Sequence, residues 1–187
     1  MVILIKQSTP TPPPLLMANG RTLIIAVIGG GAPPHWAIKL AEQVGGELAR
    51  RGAIVVCGGL HGVMEAVCRG AKAEGGTTIG ILPGNEPVTA NDYIDIPIMT
   101  GMGYARNVIV VKTGRAVIAV DGAYGTLSEI GHALGDDIPV IGLKTWDLPQ
   151  RDDLLLQVTH ADSPTDAVDK AIEAAYKRDA QAHTQQG

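Results

Sequence analysis

Residues 23–48 read LIIAVIGGGAPPHWAIKLAEQVGGEL. Six apolar residues, Leu23 to Ile28, follow one another without alternating polar positions, the pattern of a strand buried on both faces. Gly29, Gly30 and Gly31 end the run, and Pro33 and Pro34 stand where a helix begins, the place where a missing N–H does least harm. Ala37, Ala41, Val44 and Leu48 then recur at i, i+4, i+7 and i+11, so a helix over residues 34–51 lays one apolar stripe on a sheet. A doubly buried strand that turns through glycine into an amphipathic helix is the building unit of a parallel sheet covered by helices.

The unit repeats along the chain. Further strands are predicted at Ala53 to Cys57, Thr77 to Leu82, Ala116 to Val120 and Pro139 to Leu143, with helices over 62–74 and 104–112. Leu127, Ile130 and Leu134 place another helix from about Thr126, and Gly135 is positioned to end it. In the last helix Ser163 is the expected N-cap and Pro164 the first residue; Val168, Ala171, Ile172 and Ala175 share a face, and Lys177 and Arg178 suit the negative end. The expected fold is therefore α/β, a three-layer Rossmann-like sandwich with a mainly parallel sheet and right-handed crossovers. Residues 1–20, with Thr9-Pro10-Thr11-Pro12-Pro13-Pro14, are expected to form a flexible arm. Residues 21–178 are expected to form a single nucleotide-binding domain, and 179–187 a flexible tail.

Composition narrows the function. The formal net charge is −4, Phe is absent and aromatics make up 3% of the 187 residues, so neither a phosphate-tracking face nor a base-stacking surface for polymeric nucleic acid is expected. The apolar runs are too short to span a bilayer, and the expected location is the cytoplasm. Cys57 and Cys68 lack the companions a zinc site needs and read as buried free thiols. No metal and no resident cofactor is expected.

In a parallel sheet, every strand end that feeds a helix lies along one edge. Gly29-Gly30-Gly31, Gly58-Gly59-Leu60-His61-Gly62 and Gly122-Ala123-Tyr124-Gly125 with Thr126 all follow predicted strands, so their backbone N–H groups are expected to converge on an anion of nucleotide size. The competing reading is that each glycine only eases a tight turn. Pro34 stands where a G-x-G-x-x-G fingerprint needs its third glycine, and Cys57-Gly58 supplies no acid for a ribose hydroxyl, which disfavours a dinucleotide. No G-x-x-x-x-G-K-[ST] occurs, so a mononucleotide or a phosphorylated small molecule is left. Glu129 has two readings. Thr126-Leu127-Ser128-Glu129 has the spacing of a capping box, and the same glutamate is also placed to face the crevice. Glu65, early in its helix, suits the dipole; His61 in its glycine loop and His132 one turn from Glu129 are weaker candidates.

The stretch Asp121-Gly122-Ala123-Tyr124-Gly125-Thr126-Leu127-Ser128-Glu129 resembles the P-G-G-x-G-T-x-x-E signature of the LONELY GUY family, formerly called lysine-decarboxylase-like, whose better-known members are cytokinin nucleotide phosphoribohydrolases. GGLHGVMEAVCRGAKAEGGTTIGILP, residues 58–83, is similar to the family's second glycine block, and TGMGYARN, residues 100–107, to the segment that carries its arginine. The similarity spans about residues 22–146, is nearest to an uncharacterised bacterial branch, and extends to molybdenum-cofactor carrier proteins, which bind a ligand without turning it over. It implies hydrolysis of the N-glycosidic bond of a nucleoside 5′-monophosphate, with Glu129 and Arg106 catalytic, or alternatively a non-catalytic nucleotide or molybdenum-cofactor carrier. It implies a homodimer or larger assembly as well. Three positions depart from the family: Asp121 and Ala123, where Asp121-Gly122-Ala123 replaces Pro-Gly-Gly, and Asn107, where Arg106-Asn107 replaces an Arg-Lys pair.

Overall fold

The computed structural model describes residues 12–149 and 157–184. Seven strands are built from the apolar runs: β1 (Ile24–Gly29), β2 (Ile54–Cys57), β3 (Thr78–Leu82), β4 (Ile96–Met99), β5 (Ala116–Val120), β6 (Val140–Leu143) and β7 (Thr159–His160). They form one sheet in the order β4-β3-β2-β1-β5-β6-β7, and every pairing is parallel. The chain winds outward from β1 to β4, crosses back to place β5 on the other side of β1, and winds outward again. The order thus reverses between β1 and β5, which pair from Ile25↔Ala116 to Gly29↔Val120.

Five helices cover the sheet: α1 (His35–Arg50), α2 (Val63–Ala73), α3 (Asn107–Thr113), α4 (Tyr124–Gly135) and α5 (Pro164–Thr184). Because side chains alternate across a strand, β1 divides its apolar run between two cores. Ile25 and Val27 pack with Ala41, Val44 and Leu48 of α1, Val67 and Ala71 of α2, and Val168 and Ala171 of α5. Ala26 and Ile28 pack with Val110 and Val111 of α3 and Ile130 and Ala133 of α4. The predicted three-layer α/β architecture is therefore the one observed. Cys57 and Cys68 are buried free thiols with their sulfurs 3.5 Å apart.

α1 and α2 touch backbone to backbone. A Cβ on Gly45 would stand 1.9 Å from the Val67 carbonyl oxygen, and one on Gly70 would stand 1.9 Å from that of Glu42. Helix propensity alone makes Gly70→Ala stabilising by about 1 kcal/mol. Overpacking against a backbone that cannot yield costs about 1–3 kcal/mol and decides the sign here. The Gly70→Ala protein is expected to unfold at lower urea concentration than wild type with an unchanged slope; a higher midpoint would show that the helices are not in contact through this residue.

Three differences from the sequence reading concern the edges and ends. β4 and β7 were not predicted, being an edge strand interrupted by Pro97 and a strand of two residues. The last helix continues beyond Arg178 to Thr184, because Asp179 is buried and pairs with Arg115 at 3.6 Å. At the other end residues 1–11 lie outside the described residues, while Leu15 donates its N–H to Gly52 O at 2.8 Å and Met17 is buried, so the segment just before the domain is tied to it. Among the described residues no helix is long and apolar enough to cross a membrane.

Candidate functional site

The carboxyl ends of β1, β2 and β5 lie side by side, so the glycine segments that follow them share one rim at the point where the strand order reverses. Open α/β sheets bind ligands at that place. Direct contacts join the segments. Val63 N donates to Gly30 O at 3.0 Å, tying the start of α2 to the first glycine turn. Gly62 has φ +72, and a Cβ there would meet Gly30 O at 2.4 Å and Gly31 O at 2.6 Å. Gly29 lies against Val120 and Val63, and Gly59 against Leu82. Gly30 approaches the Asp121 carboxylate, a Cβ there lying 3.8 Å from Oδ2, whereas Gly31 has open space around it.

The third segment turns into α4 earlier than expected. Gly122, with φ +136, folds directly under Thr126, and the helix starts at Tyr124 with Ala123 as an extended N-cap that has no side-chain cap bond. Thr126 is thus inside the first turn and Glu129 inside the second, which removes the capping-box reading of this pair. The N–H groups of Tyr124, Gly125 and Thr126 are the first of the helix and have no intrahelical acceptor, so the positive end of α4 opens on the rim. The extra methyl of Ala123 is exposed and does not crowd the turn.

Arg106 ends a 3-10 turn, Gly103–Arg106, that is held by Gly101 N donating to Gly84 O and Gly103 N to Pro83 O, both at 3.0 Å. Its side chain is buried beneath the rim. Nη2 donates to Gly58 O at 3.2 Å and Nη1 to Asn107 Oδ1, while Nε has no hydrogen-bond partner among the described residues. Gly58 is where the guanidinium lies on the second glycine segment: a Cβ there would stand 2.6 Å from Nη2.

Glu129 is 7% exposed, and its Oε1 stands 3.9 Å from Arg106 Nη1, an ion pair too long for a hydrogen bond. Burial pushes the Glu129 carboxyl up to about 7 against the opposing pull of Arg106, and burial likewise draws the guanidinium below its ordinary value. A carboxylate that titrates near neutrality, next to a buried cation with a spare donor, is an arrangement suited to acid–base or electrostatic work on a bound ligand.

Other candidates are placed elsewhere. Glu65 is bonded to His61 at 3.2 Å on the surface, and His132 is exposed while Glu129 is buried. Asn107, noted in the sequence only as a departure from the Arg-Lys pair, accepts from Arg106, and the contacts of Asn91 were not foreseen. Asn91 is buried and its Nδ2 donates to Gly59 O at 3.2 Å and Leu60 O at 2.8 Å, so the turn-rich segment 83–91 clamps the second glycine segment. Nothing in its local pattern distinguishes it from a surface asparagine.

Fold and rim together define a doubly wound α/β domain whose candidate ligand rim lies at the switch between β1 and β5, with a buried arginine and glutamate below it. The chain belongs to the SLOG cluster4 family, whose model matches residues 22–175, in agreement with the LONELY GUY resemblance of the motif. It is 46% identical over 124 residues to an uncharacterized protein of Archaeoglobus fulgidus, covering 66% of this chain and 82% of that one. It is 33% identical over 132 residues to the cytokinin riboside 5′-monophosphate phosphoribohydrolase of Mycobacterium tuberculosis, covering 65% and 71% respectively. Among solved structures, the molybdenum cofactor binding protein of Rippkaea orientalis superposes with a TM-score of 0.75 at 38% identity, over 82% of this chain and 97% of that one.

Proposed function

We propose that the crevice binds a nucleoside 5′-monophosphate and that the protein hydrolyses its N-glycosidic bond. In this reading the phosphate lies on the N–H groups that open α4 and on the segments Gly29-Gly30-Gly31, Gly58-Gly59 and Gly62, with the main chain of Gly122, Ala123, Tyr124, Gly125 and Thr126 forming its near wall. Arg106 uses its free Nε–H on a ribose or phosphate oxygen. Glu129 as a carboxylate stabilises positive charge developing at the anomeric carbon and takes a proton from the attacking water. The bond from that carbon to the base nitrogen breaks, water supplies the new hydroxyl, and the base leaves carrying a proton. The observation that carries this reading is the buried Glu129–Arg106 pair: neither side chain caps a helix, and Nε of the cation has no hydrogen-bond partner among the described residues.

A second reading is a non-catalytic carrier of a nucleotide or of molybdenum cofactor. The likeness to the Rippkaea orientalis cofactor-binding protein, over nearly the whole of that chain, supports it. Asp121 in place of the proline also brings a carboxylate close to the proposed phosphate. Incubation with AMP and with an N6-substituted AMP separates the two: free base and ribose 5-phosphate are expected for the hydrolase, and calorimetric binding without products for the carrier. A small ligand rather than a polynucleotide is proposed, and a single-stranded oligonucleotide at physiological salt serves as the negative arm. The proposed working form is a cytoplasmic homodimer or larger assembly, for which exposed Ile96, Ile98 and Met99 of β4 supply an apolar surface.

A further inference from the structure

The rim has a fourth member that no glycine marks. The segment leaving β6, Lys144-Thr145-Trp146, runs beside the segment leaving β5. Asp121 N donates to Leu143 O at 3.3 Å, Thr145 Oγ1 donates to Asp121 O at 2.5 Å, and the Trp146 indole N–H donates to Ala123 O at 3.3 Å. Trp146 is rooted by packing against the core beneath α3 and α4. Its ring backs that of Tyr124, with centroids 6.1 Å apart and planes tilted by 32°. Tyr124 is 82% exposed. On the other side of the same segment Lys144 holds its ammonium 5.6 Å from the Trp36 ring centroid.

The chain has only two tryptophans and four tyrosines, and no phenylalanine. Both tryptophans and Tyr124 are at this end of the sheet, whereas Tyr93 and Tyr176 pack against the core on the α1, α2 and α5 side. Tyr104, in the turn before Arg106, is also exposed but, unlike Tyr124, has no aromatic ring behind it among the described residues. Core packing does not explain an aromatic ring that is almost wholly exposed yet lies beside a hydrogen-bonded indole. Tyr124 also supplies the first N–H of α4. A ligand whose phosphate lies on that helix start has the Tyr124 ring within reach of whatever planar group it carries.

We propose that Tyr124, backed by Trp146, is the stacking platform for the heteroaromatic ring of the crevice ligand, a purine or a pterin, and that Lys144–Trp146 belongs to the binding rim. This rests on the crevice being a site for a phosphorylated ligand. A π-face accepts either ring, so the platform sets the class of ligand, ring-bearing against ring-free, and not the identity of the base.

The test uses the full chain carrying Trp36→Phe, which leaves Trp146 as the sole tryptophan reporter. AMP, neopterin monophosphate and ribose 5-phosphate are titrated by fluorescence and calorimetry. At least one ring-bearing ligand is expected to bind more tightly than ribose 5-phosphate and to quench Trp146, and which of the two does so identifies the ring. Adding Tyr124→Ala is expected to weaken that ligand about 5- to 100-fold, Tyr124→Phe to restore it, and ribose 5-phosphate to bind as before. Equal affinity for all three ligands, or equal loss for ribose 5-phosphate in Tyr124→Ala, overturns the platform and leaves the phosphate crevice standing. Absence of binding by all three overturns the crevice reading and the platform with it.

Discussion

A Glu129→Gln protein is expected to release base from AMP about 10²–10⁴ times more slowly than wild type while retaining its fold. The exchange is nearly isosteric, and Glu129 makes no capping bond whose loss would unwind α4. It removes only the negative charge and the proton acceptor. The wild-type rate is expected to rise with pH through about 7, as the buried carboxyl ionises, and to level off above. Turnover of AMP at the wild-type rate by the Glu129→Gln protein would remove Glu129 from the chemistry.

The same group makes stability depend on pH. Its carboxyl titrates near 4.5 when exposed and at about 7 in the fold. Between these values the native state holds a proton that the unfolded chain has lost, so stability is highest below the lower value and falls as pH rises through the upper one. A shift of this size corresponds to about 3 kcal/mol. Wild type without ligand is therefore expected to lose denaturant stability relative to Glu129→Gln between pH 4.5 and 7 and to run parallel to it above. Parallel curves throughout would show that the carboxyl is not desolvated.

Gly62→Ala is expected to lower stability by about 2–4 kcal/mol and to abolish ligand binding. The added carbon requires a conformation strained for any residue but glycine, and it meets the carbonyl oxygens of Gly30 and Gly31, which are backbone and cannot swing aside. Gly31→Ala is the matched control, since nothing lies near its added carbon. Urea midpoints for the two proteins read the difference directly. Equal midpoints would mean that the first and second glycine segments are not joined through Gly62.

The interior strands were legible because a strand covered on both faces must be apolar throughout, and Ile24–Gly29 and Ala116–Val120 are. β4 was not: Pro97 interrupts a short edge strand, and Ile96 and Ile98 are exposed, so no burial pattern accompanies it. Capping motifs show the limit of local spacing. Ser163 does accept a bond from Asp166 N at 3.2 Å at the start of α5, as expected. Thr126 and Glu129 have equally suitable spacing but lie within α4, because the turn at Gly122 starts the helix before Thr126. The convergence of the three glycine segments followed from topology, whereas the contacts of Asn91 and Trp146 at the rim arise only through tertiary folding and left no local mark.

The backbone contact between α1 and α2 bears on how a guest enters. These two helices deliver the first and second glycine segments, and with Gly45 and Gly70 pressed against opposing carbonyls they have no slack to slide or tilt separately. That half of the mouth behaves as a fixed jaw. On the opposite half the turns leaving β5 and β6 hold each other by one main-chain bond and two side-chain bonds, without such interlocked backbones, so any movement that lets the proposed ligand in or out is expected there.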